Sequence, residues 1–257
     1  MKEIWIQNIT IYLQKNQKKI ISISDFKKLL LSSFPPPLNE GRIYKLTHQL
    51  KNRGYLVSIK KDIFLITSPE KIPSEEEMEE LFYRKLLKKH CQQYCKTNRY
   101  IGGLTALELH LHGTSATLPD EVIIYNSTKQ AIETVLLKKK VNFKTYEAKT
   151  KNLYPLFAKQ TSTIRLKGWL MKHANLELAT LECLYNLHPS NAGYIEGLII
   201  KTFKKYQKTI NLSNFQYILK QGKHNTSANR LQKLIKPSQP QLAEEIKKLI
   251  KRHGHIL

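Results

Sequence analysis

Residues 39–67 read NEGRIYKLTHQLKNRGYLVSIKKDIFLIT, and this stretch decides the fold that we predict for the amino-terminal part of the chain. Asn39 is a residue type that caps helices, apolar residues recur after it at helical spacing, and Gly54 is a common residue just past a helix end. Two runs rich in β-branched and aromatic residues follow, at 55–59 and 63–67. The stretch therefore predicts a helix over residues 39–52 and then a β-hairpin.

Two shorter helices are predicted before this stretch. Apolar residues at positions 4, 6, 9 and 13 form one stripe, and Ser24 is the predicted cap of a second helix that runs through Leu31. The prolines at 35–37 end this second helix, because consecutive prolines remove backbone donors and favour extended conformations. Three helices followed by a hairpin are typical of a winged helix-turn-helix, which we predict over residues 1–68.

The third helix has an outer face suited to reading DNA. Its predicted buried stripe consists of Ile43, Leu46, Thr47 and Leu50. At 100° per residue, the residues placed opposite or beside that stripe are Arg42, Lys45, His48, Gln49, Lys51 and Asn52. These residue types contact base edges and phosphates, so we predict base contacts from Arg42, Lys45, His48, Gln49 and Asn52, and phosphate contacts from Lys51 and the hairpin residues Lys60 and Lys61. A polar outer face is also typical of any surface helix, and winged helices also serve as protein-interaction modules.

The composition favours a polyanionic partner. The chain has 257 residues with 43 Lys+Arg against 20 Asp+Glu, a formal net charge of +23, and 41% hydrophobic residues, which exclude a disordered tail. Most basic residues are lysine and the chain is rich in Ile, Asn and Tyr, so codon bias of an AT-rich genome explains part of this charge. Three cysteines are too few for a disulfide scaffold, and no apolar run is long enough to span a membrane. We therefore predict a soluble cytoplasmic protein.

A second, larger domain is predicted after a linker at residues 69–74, which is rich in proline and serine. Residues 75–257 alternate helical and extended patterns and become helical and basic towards the end, which predicts an α+β fold overall. We expect helices at 74–94, 128–140, 177–187, 192–206, 212–220, 225–235 and 241–252. Strands are expected at 121–125, 141–147 and 161–167.

Several stretches of this second domain are similar to those of a known family. Residues 100–107 read YIGGLTAL, residues 110–113 read HLHG, Leu118-Pro119 precedes the strand at 121–125, and a later helix begins with LATLECL at 178–184. Together with the winged helix, these stretches resemble the AbiE-type antitoxin family of transcriptional regulators. The resemblance implies a repressor that binds an inverted-repeat operator in double-stranded DNA and counteracts a co-encoded nucleotidyltransferase-like toxin. It implies no enzymatic activity and no cofactor.

A metal-dependent nuclease is the alternative interpretation. Pro119-Asp120 precedes a predicted strand, and Glu147-Ala148-Lys149 ends another, which matches the letters of a PD…ExK site. In such a site Asp120 and Glu147 hold Mg²⁺ while Lys149 stabilises developing charge. The pattern arises easily by chance in a chain with this much lysine.

Other polar residues have simpler interpretations. Cys91 and Cys95, near His90, lack the second pair of ligands that structural zinc needs, and no Gly-Lys-Ser/Thr follows Gly102-Gly103, as a phosphate loop requires. The last part of the chain has two basic clusters, which are predicted to extend a phosphate-binding surface, to meet an acidic face on a partner protein, or to be solvated charge. The clusters are Lys201, Lys204, Lys205 and Lys208, and Lys220, Lys223, His224 and Arg230.

Overall fold

The computed structural model describes residues 2–17, 19–33, 39–78, 82–95, 98–113, 119–128, 131–137, 139–148, 151–166 and 169–253. The chain divides into two units, Met1–Lys89 with Val135–Lys138, and His90–Thr134 with Lys139–Leu257. The predicted linker at 69–74 lies inside the first unit. Both units contain helices and strands, so the predicted mixture of α and β structure is confirmed.

The first unit packs helices against a small antiparallel sheet with strand order β1-β3-β2. Its elements are α1 (Lys2–Lys15), β1 (Ile20–Ser22), α2 (Ile23–Ser33), α3 (Glu40–Asn52), β2 (Leu56–Lys60), β3 (Ile63–Ile66) and α4 (Glu75–Met78). The helix α5 (Arg84–Cys95) begins in this unit and ends in the second. The main core cluster contains Ile9, Leu13, Ile21, Phe26, Leu30, Ile43, Leu50, Leu56, Phe64 and Ile66. Each such side chain contributes about 1.5–3 kcal/mol on burial.

The third helix matches the sequence prediction closely. The Asn39 side chain accepts a hydrogen bond from the Arg42 backbone N–H at 2.9 Å, which makes Asn39 the cap of α3. Gly54 follows the helix with φ +76°, a conformation that side chains other than glycine rarely adopt. Ile43, Thr47 and Leu50 are buried, as predicted, and Leu46 is half-buried.

The predicted start of the second helix is wrong. The helix begins at Ile23, and its cap is Ser22, whose hydroxyl accepts a hydrogen bond from the Asp25 backbone N–H at 3.0 Å. Ser22 also ends β1, a strand of three residues that pairs with β3. So short a strand shows no alternating pattern in the sequence, and the cap was therefore placed two residues late. The proline loop at 34–38 lies outside the described residues.

The second unit is built around a six-stranded mixed sheet with strand order β10-β11-β4-β5-β7-β6. These strands are β4 (Arg99–Ile101), β5 (Glu121–Asn126), β6 (Ile132–Leu136), β7 (Lys139–Thr145), β10 (Thr161–Leu166) and β11 (Trp169–Ala174), and a separate ladder joins β8 (Glu147–Ala148) to β9 (Lys151–Asn152). β5 pairs in parallel with β7, and β4 in parallel with β11. The remaining helices are α6 (Gly103–His112), α7 (Tyr154–Phe157), α8 (Leu176–Tyr185), α9 (Ala192–Lys205), α10 (Leu212–Leu219), α11 (Asn225–Ile235) and α12 (Pro240–Arg252).

One helix of this unit is buried on all sides. α8 contacts α6, α9, α10 and α11, and every residue from Leu176 to Leu184 is buried. An all-round apolar helix is expected at the centre of a domain rather than at its surface. Two glutamates, Glu177 and Glu182, are nevertheless buried on it.

The helix predicted at 128–140 is wrong, because the described residues there form β6 and β7. Ile132 and Leu136 are four residues apart, a spacing that places two side chains on one face of a helix and equally on one face of a strand. Burial alternates along β6, and Leu137 turns the chain with φ +47°. β4 and β11 were not predicted. The helices of the last third of the chain and the strands at 121–125 and 161–167 are confirmed to within a few residues.

The helix predicted over 74–94 is described in two pieces, α4 and α5, with residues 79–81 outside the described part. The Ser74 hydroxyl accepts from the Glu77 backbone N–H, and a Glu77 carboxylate oxygen accepts from the Ser74 backbone N–H, both at 3.1 Å. This reciprocal pair is a capping box. None of the helices that the structure describes combines the length and the apolar character needed to cross a membrane.

Candidate functional site

The outer face of α3 is fully open to solvent. All six residues predicted on this face are exposed: Arg42, Lys45, His48, Gln49, Lys51 and Asn52. The Asn52 amide lies 3.4 Å from His48 Nδ1, one helical turn away. Because Ile43, Thr47 and Leu50 anchor the opposite face in the core, these polar side chains project from a fixed support.

One residue of this face was missed by the sequence analysis. Tyr44 lies on α3 with 74% of its surface exposed, the largest exposed fraction among the exposed large apolar residues of the described part. At 100° per residue, Tyr44 lies beside His48 and Lys51 on the helix surface. The sequence pattern did not identify it as a DNA contact, because tyrosine belongs neither to the buried stripe nor to the basic and amide side chains of the outer face.

The hairpin tip presents one of its two lysines better than the other. Lys61 is exposed, whereas Lys60 is half-buried next to an irregular register between Ser58 and Lys60. Two backbone hydrogen bonds connect the hairpin to other segments. The Asp62 carbonyl accepts from the Ile23 N–H, and the Ile59 carbonyl accepts from the Leu137 N–H, both at 2.8 Å. The tip is therefore rigidly held, with Lys61 as its accessible cation.

A surface ion pair connects α2 to the start of α3. Lys27 Nζ lies 2.7 Å from a carboxylate oxygen of Glu40. The hydrogen bond and the charge of Lys27 hold the pKa of the Glu40 carboxyl below its usual value. Because Glu40 is exposed, the pair adds little to the stability of the fold.

The structure does not bring the predicted nuclease residues together. Asp120 precedes β5, and β5 pairs in parallel with β7 from Glu121 opposite Lys140 to Asn126 opposite Thr145. Glu147 follows β7, so Asp120 is at one end of the strand pair and Glu147 is beyond the other. At about 3.3 Å per residue their backbones are roughly 20 Å apart, too far to share a metal ion. Lys149 lies outside the described residues.

The cysteines and histidines of the described part form no metal centre. No group of three or more His, Cys, Asp or Glu side chains in that part is arranged to hold an ion. Cys91 and Cys95 are free and buried. Burial raises the pKa of the Cys91 thiol to about 12 and that of Cys95 to about 11, so both are protonated and unreactive at neutral pH.

Half of the carboxy-terminal basic clusters are engaged within the protein. Lys205 donates to the carbonyls of His110 and Leu111 at the end of α6, and Arg230 donates to the Leu184 carbonyl at 2.9 Å. Lys223 lies over the rings of Tyr146 and Tyr185, and His224 is buried. The remaining members are exposed: Lys201, Lys204, Lys208 and Lys220.

A buried carboxylate is the most unusual polar feature of the second unit. Glu182 on α8 accepts a hydrogen bond from the Tyr100 hydroxyl at 2.7 Å, from the Gly103 backbone N–H at 2.6 Å and from the Tyr146 hydroxyl. Gly103 opens α6, where unpaired N–H groups favour negative charge. The glycine pair at 102–103 therefore begins a helix whose Gly103 N–H binds an internal carboxylate.

Aromatic rings enclose this carboxylate. Tyr125 stacks between Tyr100 and Tyr146, with ring centroids 5.4 and 4.6 Å away, and His224 meets Tyr146 edge-on. Burial and the charge of Glu182 raise the pKa of all three tyrosines well above the usual value. Burial, and then the charge of Lys223, lower the pKa of His224 to about 3, so its ring is neutral.

Stability should depend on pH through Glu182. Burial raises the pKa of its carboxyl to about 7, although Tyr146, Gly103 and Tyr100 donate to it and so oppose the rise. A glutamate in the unfolded chain has a pKa near 4.3, so the folded state binds this proton more tightly. The resulting stabilisation is fully present below about pH 4 and is lost as the pH rises through about 7, a change of roughly 3–4 kcal/mol.

Glu182→Gln isolates this effect, because glutamine does not ionise. We expect the free energy of unfolding of the variant, relative to the original protein, to rise by roughly 3–4 kcal/mol between about pH 4 and pH 8. Urea titrations at several pH values measure it. A difference that stays constant with pH would contradict the raised pKa.

No protein-family model matches the chain, and no curated protein matches it. Among solved structures, the chain is similar to the crystal structure of the RV2827C protein from Mycobacterium tuberculosis, with 10% sequence identity and a TM-score of 0.45. The match covers 98% of this chain and 83% of that one. A likeness at this level leaves the function to be inferred from the residues of the chain itself.

Proposed function

We propose that the chain is a sequence-specific DNA-binding protein and that residues 1–68 form a winged helix-turn-helix. The order α1, β1, α2, α3, β2, β3 supports this proposal, because a helix, a short strand, two helices and a hairpin occur in that order in winged helices. The sheet order β1-β3-β2 is also the order expected of that fold. In this arrangement α3 is the recognition helix and the β2–β3 hairpin is the wing.

The observation that carries the proposal is the division of α3 into two faces. One face is packed in the core, and the other presents exposed arginine, lysine, histidine, glutamine and asparagine side chains on a rigid support. These side chains form hydrogen bonds with base edges in the major groove, while lysines pair with phosphates. A net charge of +23 supplies the attraction to a polyanion on which such readout depends.

We further propose that the protein is a repressor of AbiE-antitoxin type. It binds an inverted-repeat operator through the first unit, and its second unit counteracts a co-encoded nucleotidyltransferase-like toxin. The sequence resemblance of residues 100–125 and 178–184 supports this part. Co-purification of the chain with the product of its neighbouring gene tests it, and a neighbour that neither binds nor poisons growth would overturn it.

The DNA proposal is tested by fluorescence anisotropy on the DNA upstream of the gene and on a scrambled duplex, across salt concentrations. We expect a preference of roughly a thousandfold or more that persists at physiological salt. Equal affinity for the two duplexes would reduce the binding to generic charge and overturn the proposal.

Two lysines of α3 should give different results in this assay. Lys45→Ala should weaken operator binding by about 1–3 kcal/mol with little change on scrambled DNA, because Lys45 is placed to read a base. Lys51→Ala should weaken both duplexes alike and lower the salt slope by about 1, as expected for a phosphate contact. Lys201→Ala, an exposed lysine on α9, is the matched control. Losses that are the same for Lys45 and Lys201 would contradict the assignment.

A further inference from the structure

Tyr44 is a large aromatic side chain that is 74% exposed. In the part of the chain that the structure describes, its hydroxyl has no hydrogen-bond partner and its ring has no aromatic neighbour. Tyr194 is also exposed, at 58%, but its hydroxyl donates to Glu108 at 2.6 Å. The exposure of Tyr194 is therefore explained within the protein, and that of Tyr44 is not.

The position of Tyr44 on α3 places it among the predicted DNA contacts. At 100° per residue it lies about 40° from His48 and about 20° from Lys51 around the helix axis. Helical side chains lean towards the amino terminus, so the ring extends over the first turn of α3. Residues near the amino end of a recognition helix are those that meet base edges.

The first turn has a vacant position next to this ring. Gly41 precedes Tyr44 by three residues on the same face, and among the described residues a Cβ added there would meet only Asn39 Oδ1, at 3.8 Å. Packing among the described residues therefore does not require glycine at position 41. Its absent side chain leaves an opening beside Tyr44 for something outside the protein.

We propose that Tyr44 is a further specificity-determining residue, whose ring packs on the C5-methyl group of a thymine in the opening left by Gly41. The thymine methyl is the one apolar group that base pairs present in the major groove, and it is recognised by van der Waals contact. This inference rests on the proposed DNA-binding function, and it adds a preference for a T·A pair to the polar readout by the neighbouring side chains.

The test uses the full-length protein and an operator selected from a random duplex pool. Each thymine of the operator is replaced in turn by deoxyuridine, which lacks only the methyl group, and affinity is measured by anisotropy for the original protein, Tyr44→Phe and Tyr44→Ala. At one position we expect the replacement to weaken the original protein and Tyr44→Phe about fourfold, as about 0.8 kcal/mol for a buried methyl predicts. Tyr44→Ala should bind both duplexes equally at that position.

Three results would overturn the inference. Tyr44→Ala could keep the full methyl dependence, or Tyr44→Phe could lose as much affinity as Tyr44→Ala, which would assign the hydroxyl to a phosphate. A selection that yields no preferred sequence would reject the DNA-binding proposal itself, and this inference with it. Tyr194→Ala is the control and should leave operator affinity unchanged. Circular dichroism should show Tyr44→Ala folded, because most of the side chain's surface is exposed.

Discussion

Replacing Glu182 with alanine is expected to lower the free energy of unfolding of the second unit by about 3–5 kcal/mol. The change leaves the hydroxyl of Tyr100 and the N–H of Gly103 without their acceptor in a buried region, while the hydroxyl of Tyr146 keeps only His224 Nε2, at 3.3 Å. Each buried donor left unpaired costs about 1–3 kcal/mol, and the vacated volume adds to the loss.

Urea unfolding followed by the fluorescence of Trp169 measures this effect, because Trp169 is buried on β11 of the second unit. A Trp5→Phe background makes Trp169 the single tryptophan of the chain. Glu244→Ala is the control, because Glu244 is exposed and pairs with Lys247 on the surface of α12, and it should change stability by less than about 0.5 kcal/mol. Tyr146→Phe removes one of the three donors and should cost about 1 kcal/mol. A loss below about 1 kcal/mol for Glu182→Ala would show that the carboxylate does not hold the network together.

Gly102→Ala should cost about 2–4 kcal/mol. A Cβ on Gly102 would lie 2.5 Å from a ring carbon of Tyr125 and closer still to a carboxylate oxygen of Glu182. Neither atom is at the end of a flexible exposed chain, since the ring is stacked and the carboxylate accepts three hydrogen bonds. The backbone of Gly102 is extended, so the cost arises from overpacking and not from the φ angle.

Gly197→Ala is the matched control for this substitution. Gly197 lies inside α9, and a Cβ added there meets no atom of the described residues within 4 Å. Alanine should therefore stabilise the helix by about 0.5–1 kcal/mol. Opposite signs for the two substitutions, followed by urea unfolding, are the expected outcome. Equal effects would show that the second unit relaxes around Gly102 and that the packing there is loose.

Local sequence patterns were sufficient to predict helices, because helical hydrogen bonds join residues that are close in the chain. α3 was predicted with its cap, its buried stripe and its outer face, because each depends on residues within four positions along the chain. β1 and β4 have three residues each and show no period. The pattern of residues 128–140 predicted a helix because spacing by four fits both structures, and only pairing with another strand, here β7, decides between them.

The hydrogen bonds of Glu182 and the exposure of Tyr44 could not be predicted from the sequence, for two different reasons. Glu182 receives its hydrogen bonds from residues 79, 82 and 36 positions away, so nothing near it in the chain identifies its partners. The available signals were two acids in the otherwise apolar helix 176–184 and a glycine pair at a helix start. Tyr44 was visible in the helical arithmetic, but whether it is exposed depends on what packs around α3.

The inclusion of residues 135–138 in the first unit limits how this protein can be divided. Ile59, Leu65, Met78 and Phe82 form a second apolar cluster against which Leu137 packs, and Leu137 also donates to the Ile59 carbonyl. A fragment that ends at residue 89 would lack Leu137 and its packing on this cluster. The amino-terminal unit is therefore not a contiguous module that a single recombination event could transfer intact to another gene. Evolutionary change of the proposed DNA-binding specificity is expected to proceed by point substitutions on α3.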